Sequence, residues 1–423
     1  MKNILRFSLG KVPLYVIVPI ALIVFFAAKH RDLSNDMIGG LAAMMVAGYM
    51  LREIGDRTPI LNRIGGSAIM CIFIPSMLVG HHLVQLPTLA AITTTMKTSN
   101  LMYLFLSSVI VGSILGVDRK LLIHGFSRIV VPLIIGTIVA SACGIGMGLL
   151  LGRPLWETFF FIVTPILSGG VAEGVLPLSI AYSEILNKPD TDILAQIFPA
   201  ALTANLFAIL SAGVLAQIGH RHPNLTGNGN LIRGVDQSQF EAELHNEPID
   251  YELMGAGLLV ICAFFTLGRL MAPYLEMPAV VVMILSVVLM KFLGILPKEI
   301  DRGAYAMYQF MSKNLTPAVL VGVGMIFVPW DKLVEAFTLD FVLLCCSTVF
   351  GMVISTFATA RFVGAYPVEC AVVCATHSGL GGTGDIAILT AAKRLNLMPF
   401  AAMATRLGGV VMIIFSTFLM RSI

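Results

Sequence analysis

The chain has 423 residues, of which 57% are hydrophobic and only 12% charged, with a net charge of +3 and a mean hydropathy of +0.90. A soluble domain carries roughly 25% charged residues, so a soluble enzyme or module is excluded. Basic residues scattered through short loops, with no run or stripe, likewise set nucleic acid aside. Apolar segments recur along the whole length, which is the pattern of a helix bundle that uses lipid as solvent.

In chain order the predicted apolar segments are 12–28, 37–51, 67–86, 101–117, 129–152, 158–183 and 193–218, then 252–273, 277–297, 315–329, 340–363, 366–392 and 398–420. The start, with Lys2, Arg6 and Lys11 ahead of an apolar stretch, imitates a signal peptide. No A-x-A site precedes a polar mature start, so residues 1–31 read as an extra N-terminal membrane helix. The one long polar stretch, 219–251, reads as a connecting loop between two halves. Seven cysteines lie almost entirely inside the apolar segments as small hydrophobes, with no disulfide framework. Cys370, Cys374 and His377 share a helix face, but no second ligand pair has metal-type spacing.

The two halves repeat. Leu86-Pro87 returns as Leu296-Pro297, Asn100-Leu101 as Asn314-Leu315, Val111-Gly112 as Val321-Gly322, the pair Asp118 and Lys120 as Asp331 and Lys332, and Gly169-Gly170 as Gly381-Gly382. The offsets stay near 210 to 214 residues, and a shared order is the mark of a duplicated unit. If 158–183 and 366–392 are re-entrant hairpins and the N-terminus is cytoplasmic, about 17 Lys and Arg fall inside against about 7 outside. The repeats, 32–218 and 252–423, are then inverted, the 219–251 loop is cytoplasmic and the C-terminus lies outside. The predicted fold class is an all-α polytopic membrane protein with about eleven full spans plus two hairpins. Inverted repeats point to a secondary transporter whose hairpin tips meet near the midplane, where substrate and coupling ions bind.

The first tip reads Pro165 to Gly174 through Ser168-Gly169-Gly170-Val171-Ala172-Glu173, and the second reads His377-Ser378-Gly379-Leu380-Gly381-Gly382-Thr383-Gly384-Asp385. Glycines here permit a tight turn and leave backbone groups open to a ligand. Glycine-mediated close helix packing is the plainer alternative. The helix after each tip aims its positive end at the cavity, which suits a carboxylate. Candidate substrate-binding residues are therefore Gly169, Gly170, Val171, Ala172, Gly381, Gly382, Thr383 and Gly384.

Arg406 is the sharpest single candidate. About fourteen residues of span follow it, and an Arg inside a span costs at least roughly 2.5 kcal/mol, so it marks a site by default. Its planar fork matches a carboxylate. A structural pair with Glu369 or Asp385 is the alternative. Thr383 and Thr405, with backbone at Gly379, His377 and Val171, are candidates for an oxygen cage around sodium, although hydroxyls also bond back to helix carbonyls. Glu369, Glu173 and Asp385 are the alternative proton carriers, and Asp385 could instead cap its helix. His81 and His82 read as interfacial. The stretch Gly382-Thr383-Gly384-Asp385 also spells the G-x-G-D of intramembrane aspartyl proteases, but no second aspartate in a Tyr-Asp pair lies within a span. An enzyme is not expected.

At these residues the sequence resembles the bacterial 2-hydroxycarboxylate transporter family, over essentially the whole chain. That family carries a pair of GGxG tips and a Ser/Thr-Arg-Leu/Ile-Gly-Gly stretch in the last helix. Here the second tip is Gly381-Gly382-Thr383-Gly384 and the last stretch is Thr405-Arg406-Leu407-Gly408-Gly409. The resemblance implies homodimers with an elevator-like motion, no cofactor beyond a sodium ion or proton, and Arg406 on the substrate carboxylate. Ala172 ends the first tip where the family has Gly, and Val171 stands where citrate-type members have Asn. Leu380 and Gly379 replace an Arg and an Asn beside the second tip. Loss of that cation disfavours a trianion, so the expected substrate is a smaller hydroxy acid such as malate or lactate, taken across the bacterial inner membrane by sodium symport. Proton-coupled symport or exchange, and a membrane subunit of a sodium-pumping decarboxylase, are the alternatives.

Overall fold

A computed structural model describes residues 8–9, 12–30, 32–59, 66–116, 119–233, 250–275 and 277–422. Lys2, Arg6, Lys11, Arg63, Asp118 and the middle of the connecting loop lie outside these residues. Apart from a two-residue antiparallel pairing of Ser8–Leu9 with Val12–Pro13 and a bridge between Ile232 and Ala365, the described elements are helical.

The helices are α1 Leu14–His30, α2 Met37–Arg57, α3 Gly66–Gly80, α4 Leu86–Thr93, α5 Leu101–Leu115 and α6 Arg119–Leu150. They continue as α7 Leu155–Ile166, α8 Leu176–Leu186, α9 Asp190–Arg221, α10 Tyr251–Leu275, α11 Ala279–Leu293 and α12 Lys298–Phe310. The last six are α13 Thr316–Ile326, α14 Trp330–Ala336, α15 Leu339–Thr359, α16 Pro367–Thr376, α17 Gly382–Ala391 and α18 Met398–Ser422. Among the described residues, six helices are long and apolar enough to cross a bilayer, or seven if Leu86–Thr98 and Leu101–Leu115 form one bent span; other apolar helices have 10 to 17 residues. Local chemistry shortens some of them. α11 ends at Gly294, whose left-handed φ of 67° closes the last turn.

Three amphipathic or short pieces fall between the predicted segments, α14 being the one in the gap between 329 and 340. α4 precedes the predicted segment at 101, and α12 fills the gap between 297 and 315. The first turn of α12 carries Lys298, Glu299, Asp301 and Arg302, too polar for a hydropathy signal, yet Gly303, Ala304 and Met307 are buried along one stripe.

The chain forms two compact units, and each draws on both halves of the sequence: Met1–Phe105 with Phe310–Glu335, and Leu106–Gln309 with Ala336–Ile423. In the first unit α2 packs on α3 and α13. The Asp36 carboxylate starts α2 by accepting from the Ile38 and Gly39 N–H groups, each at 2.9 Å. Those bonds, that from Gly39 foremost, hold its carboxyl below the ordinary range. Ser76 Oγ donates to the Val328 carbonyl at 2.5 Å, tying α3 to the chain after α13.

The core of the second unit is the pairing of α6 with α15. Small residues bring the two backbones together: a Cβ on Gly351 would lie 3.0 Å from Ala140 Cα. α9 is the most enclosed long helix, with 72% of its apolar window buried, and it carries Asn205 into the interior. The Lys291 ammonium donates to the Leu115 carbonyl at 2.5 Å and to Asp301 Oδ2 at 2.8 Å, fixing α12 against α11 and the end of α5.

Candidate functional site

Both glycine-rich stretches break a helix inside the second unit. After α7 the chain leaves helical geometry at Leu167, passes Gly169 and Gly170 at φ of 81° and 121°, and resumes in a wide π-type turn, Val171–Val175, before α8. After α16 it turns through His377 to Leu380, passes Gly381 at φ 73°, and starts α17 at Gly382. Pro177 and Pro367 sit in the first turns of α8 and α16, where the missing N–H costs nothing.

The two breaks touch. The Val171 N–H donates to the Leu380 carbonyl at 3.2 Å, and a Cβ on Gly170 would lie 2.7 Å from Gly381 Cα. α18 closes against both. The Gly169 Cα faces the Thr405 carbonyl and Gly409, and Gly408 presses on the His377 ring, so the Gly408-Gly409 pair is required by close approach. From α9, the Asn205 amide oxygen accepts from the Leu380 N–H at 3.1 Å and pins the second break. Gly382 is exposed, and apart from its chain neighbours no described residue lies within 4 Å of where its Cβ would be.

Arg406 lies on α18, next in the chain to Thr405. Its Nη2 donates to the Tyr308 hydroxyl at 2.8 Å, its guanidinium covers the Tyr308 ring at 4.8 Å from the centroid, and its Nε is 3.9 Å from Glu173 Oε1. The Tyr308 hydroxyl in turn donates to Glu173 Oε1 at 3.2 Å. The acidic neighbour of Arg406 is therefore Glu173, neither of the two carboxylates named as alternatives from sequence. On the residue just before Arg406, Thr405 Oγ1 lies 3.4 Å from both Asp385 carboxylate oxygens and from Thr376 Oγ1. Asp385 is 2% exposed and turned toward Thr405; α17 starts without any side-chain cap.

His377 and Ser378 are fully buried, and neither imidazole nitrogen nor the Ser378 hydroxyl has a hydrogen-bond partner among the described residues. Both belong to the second break. Val171 is buried, Ala172 half-buried, and Gly384 packs against the Asn205 amide. The Thr383 side chain lies outside the described part of the structure. Cys370 and Cys374 are buried free thiols, and no three His, Cys, Asp or Glu side chains converge among the described residues.

Glu369 is engaged elsewhere. Its carboxylate accepts from Thr226 Oγ1 at 2.6 Å, the Gly227 and Gly229 N–H groups at 3.0 and 3.1 Å, and Arg394 Nε at 3.1 Å. Around it, Arg233 N–H donates to the Gly364 carbonyl, Tyr366 N–H to the Leu231 carbonyl, and Asn396 Nδ2 to the Gly229 carbonyl. Residues 226–233 are thus laced onto the starts of α16 and α18.

Tyr308 is the neighbour of Arg406 and Glu173 that sequence reasoning missed. It sits on α12, outside every predicted span. The available signal was Tyr305 and Tyr308 three residues apart on one helical face, where the rings stack at 5.7 Å.

Known proteins resemble the chain over nearly its full length. The model of the 2-hydroxycarboxylate transporter family matches residues 9–418. The chain is 42% identical to a Na(+)-malate symporter of Bacillus subtilis, covering 99% of this chain and 94% of that one. It is 37% identical to a citrate/malate-proton symporter of the same organism, over 96% and 91% of the two chains. It is 28% identical to a citrate/sodium symporter of Salmonella typhimurium, over 98% and 95%.

Proposed function

The chain belongs to the 2-hydroxycarboxylate transporter family, and from that premise we propose that it is a symporter of small 2-hydroxycarboxylates, malate foremost, driven by sodium. It is a multi-pass membrane protein. The observation that carries the substrate assignment is Arg406, a guanidinium 13% exposed that faces Glu173 in the turn after the first glycine break. A carboxylate placed there gains a charge-assisted fork from Arg406. The substrate hydroxyl and second carboxylate then fall to backbone at Gly170 to Ala172 and Gly381 to Gly384.

Sodium suits the polar oxygens near the second break, with Thr405 and backbone at Gly379, His377 and Val171 as ligands. The identity to a Na(+)-malate symporter supports this ion over a proton. Proton coupling is the second reading, favoured by the two carboxylates near Arg406, Glu173 and Asp385, and by the likeness to a citrate/malate-proton symporter. Glu369, held by four donors, serves better as an anchor than as a carrier.

In this reading the two breaks are the tips of re-entrant hairpins, 158–183 and 366–392, in inverted repeats spanning 32–218 and 252–423. The first compact unit draws on 32–105 and 310–335, and the second on 106–218, 252–309 and 336–423, so both take chain from both repeats. The assembly is a homodimer in the bacterial inner membrane with the 219–251 loop and N-terminus cytoplasmic and the C-terminus outside, and the second unit carries substrate in an elevator-type motion. The test is uptake of labelled malate into proteoliposomes under either an imposed sodium gradient or an imposed pH gradient at fixed membrane potential. Uptake driven by sodium alone is the expected outcome, and uptake driven by the pH gradient alone transfers the assignment to Glu173 and Asp385.

A further inference from the structure

The basic group at the site already faces a carboxylate that the chain itself supplies. Glu173 comes three residues after Gly170, in the wide turn that follows the first break, and its side chain is 15% exposed beside an Arg406 that is 13% exposed. It reaches Arg406 in two ways: directly, at 3.9 Å from Nε, and through the Tyr308 hydroxyl, which accepts from Arg406 and donates to Glu173. The hydroxyl has one proton and spends it on Glu173, so the three groups form an ordered chain of donor, relay and acceptor.

Charge at this spot is uneven. Among the described residues Arg406 is the cation here, and the carboxyl groups of Glu173 and Asp385 lie near it. Leu380, at the second break and 5% exposed, brings no charge of its own. A substrate that brings carboxylates to Arg406 therefore meets a guanidinium already partnered on one edge.

We propose that Glu173 is a specificity-determining residue whose carboxylate occupies, in place and in charge, the position of one substrate carboxylate beside Arg406, so that the site accepts a 2-hydroxydicarboxylate and rejects a tricarboxylate. The inference rests on the reading that Arg406 binds substrate carboxylate. Its physical basis is repulsion: a third carboxylate would come to lie next to Glu173, which faces no cation but Arg406 among the described residues. Selection of one partner by an unfavourable contact with another needs no extra contact to the favoured one.

The experiment uses the full chain in proteoliposomes and measures how well unlabelled citrate, relative to unlabelled malate, inhibits uptake of labelled malate at a pH where citrate is fully ionised. Glu173→Gln keeps the shape and a hydrogen-bond acceptor for Tyr308 while removing the charge. The potency of citrate relative to malate is expected to rise by about tenfold or more, and Glu173→Asp, which keeps the charge, is expected to hold the ratio near that of the unaltered protein. A ratio in Glu173→Gln within about twofold of the unaltered protein overturns the proposal, as does an equal shift in Glu173→Asp, which would make shape the cause. The unaltered protein gives an independent reading that needs no folded variant: a citrate with one carboxylate masked as its methyl ester should compete about tenfold better than citrate, and equal competition overturns the proposal. Arg406→Lys separates the two levels. Malate binding unchanged in Arg406→Lys removes the underlying reading, whereas malate binding lost there with an unmoved ratio in Glu173→Gln removes only the role of Glu173.

Discussion

Gly170 and Gly381 face each other with no side chain between them, so that a Cβ on the first would stand 2.7 Å from both the Cα and the backbone nitrogen of the second. The two helix breaks meet through backbone alone, and the Val171 N–H to Leu380 carbonyl bond runs through this contact.

Replacing Gly170 by alanine should therefore disable transport. Its φ of 121° lies where an L side chain is strained by about 1–3 kcal/mol, and the added methyl must also push Gly381 away. Malate uptake per inserted molecule is expected to fall to near background, with a lowered melting temperature. Gly382→Ala is the contrast, because no described residue beyond its chain neighbours lies within 4 Å of the new methyl, and its melting temperature should stay close to that of the unaltered protein.

Arg406→Lys should weaken malate binding severely. The planar fork that can hold Tyr308 with one nitrogen and a carboxylate with others is replaced by a point charge. The charge is kept but the paired hydrogen bonds are lost, and one hydrogen bond to a charged group is worth about 1.5–3 kcal/mol, an affinity loss of about tenfold or more. Equilibrium binding of labelled malate to the purified protein measures it, and unchanged affinity would remove Arg406 from the substrate.

Why the sequence yields Arg406 and both glycine breaks, but not Tyr308 or the Arg394 pairing, has a physical explanation. An Arg within an apolar run and a mid-span glycine pair are local departures from what a helix in lipid tolerates, so each is visible in a window of a few residues. The long apolar helices are legible on the same ground: the segment at 252–273 is found as Tyr251–Leu275, and that at 398–420 as Met398–Ser422. Tyr308 sits on a helix whose first turn is charged and whose apolar stripe is narrow, so hydropathy alone passes over it. Glu369 and Arg394 are separated by 25 residues and a whole helix break, and Glu173 and Arg406 by more than half the chain. Such partners are set by packing, not by local pattern.

Arg394→Ala should destabilise the fold without a specific effect on the substrate. Glu369 is wholly buried and Arg394 only 16% exposed, and a buried carboxylate stripped of its cation costs about 3–5 kcal/mol. A clear drop in melting temperature is expected, with the KM for malate of the surviving folded protein close to that of the unaltered chain. A changed KM with unchanged stability would instead place Glu369 in the transport cycle.

Thr405→Ala addresses the ion. Thr405 Oγ1 lies between Asp385 and Thr376, and its loss removes a neutral oxygen while leaving Arg406 in place. The sodium concentration for half-maximal malate uptake is expected to rise several-fold, as for loss of one hydrogen-bonding oxygen of about 1 kcal/mol. An unmoved sodium dependence would take the hydroxyl out of the ion's coordination.

The lacing of residues 226–233 onto Gly364, Tyr366, Glu369, Arg394 and Asn396 makes the end of the first half a structural member of the second. A gene split between codons 234 and 249 would give a first fragment whose tail already holds the mating surface for its counterpart. Two such fragments made together should find each other and assemble without a covalent tether, whereas a split placed before residue 223 would strand that tail on the wrong fragment and demand that it rejoin α9 unaided.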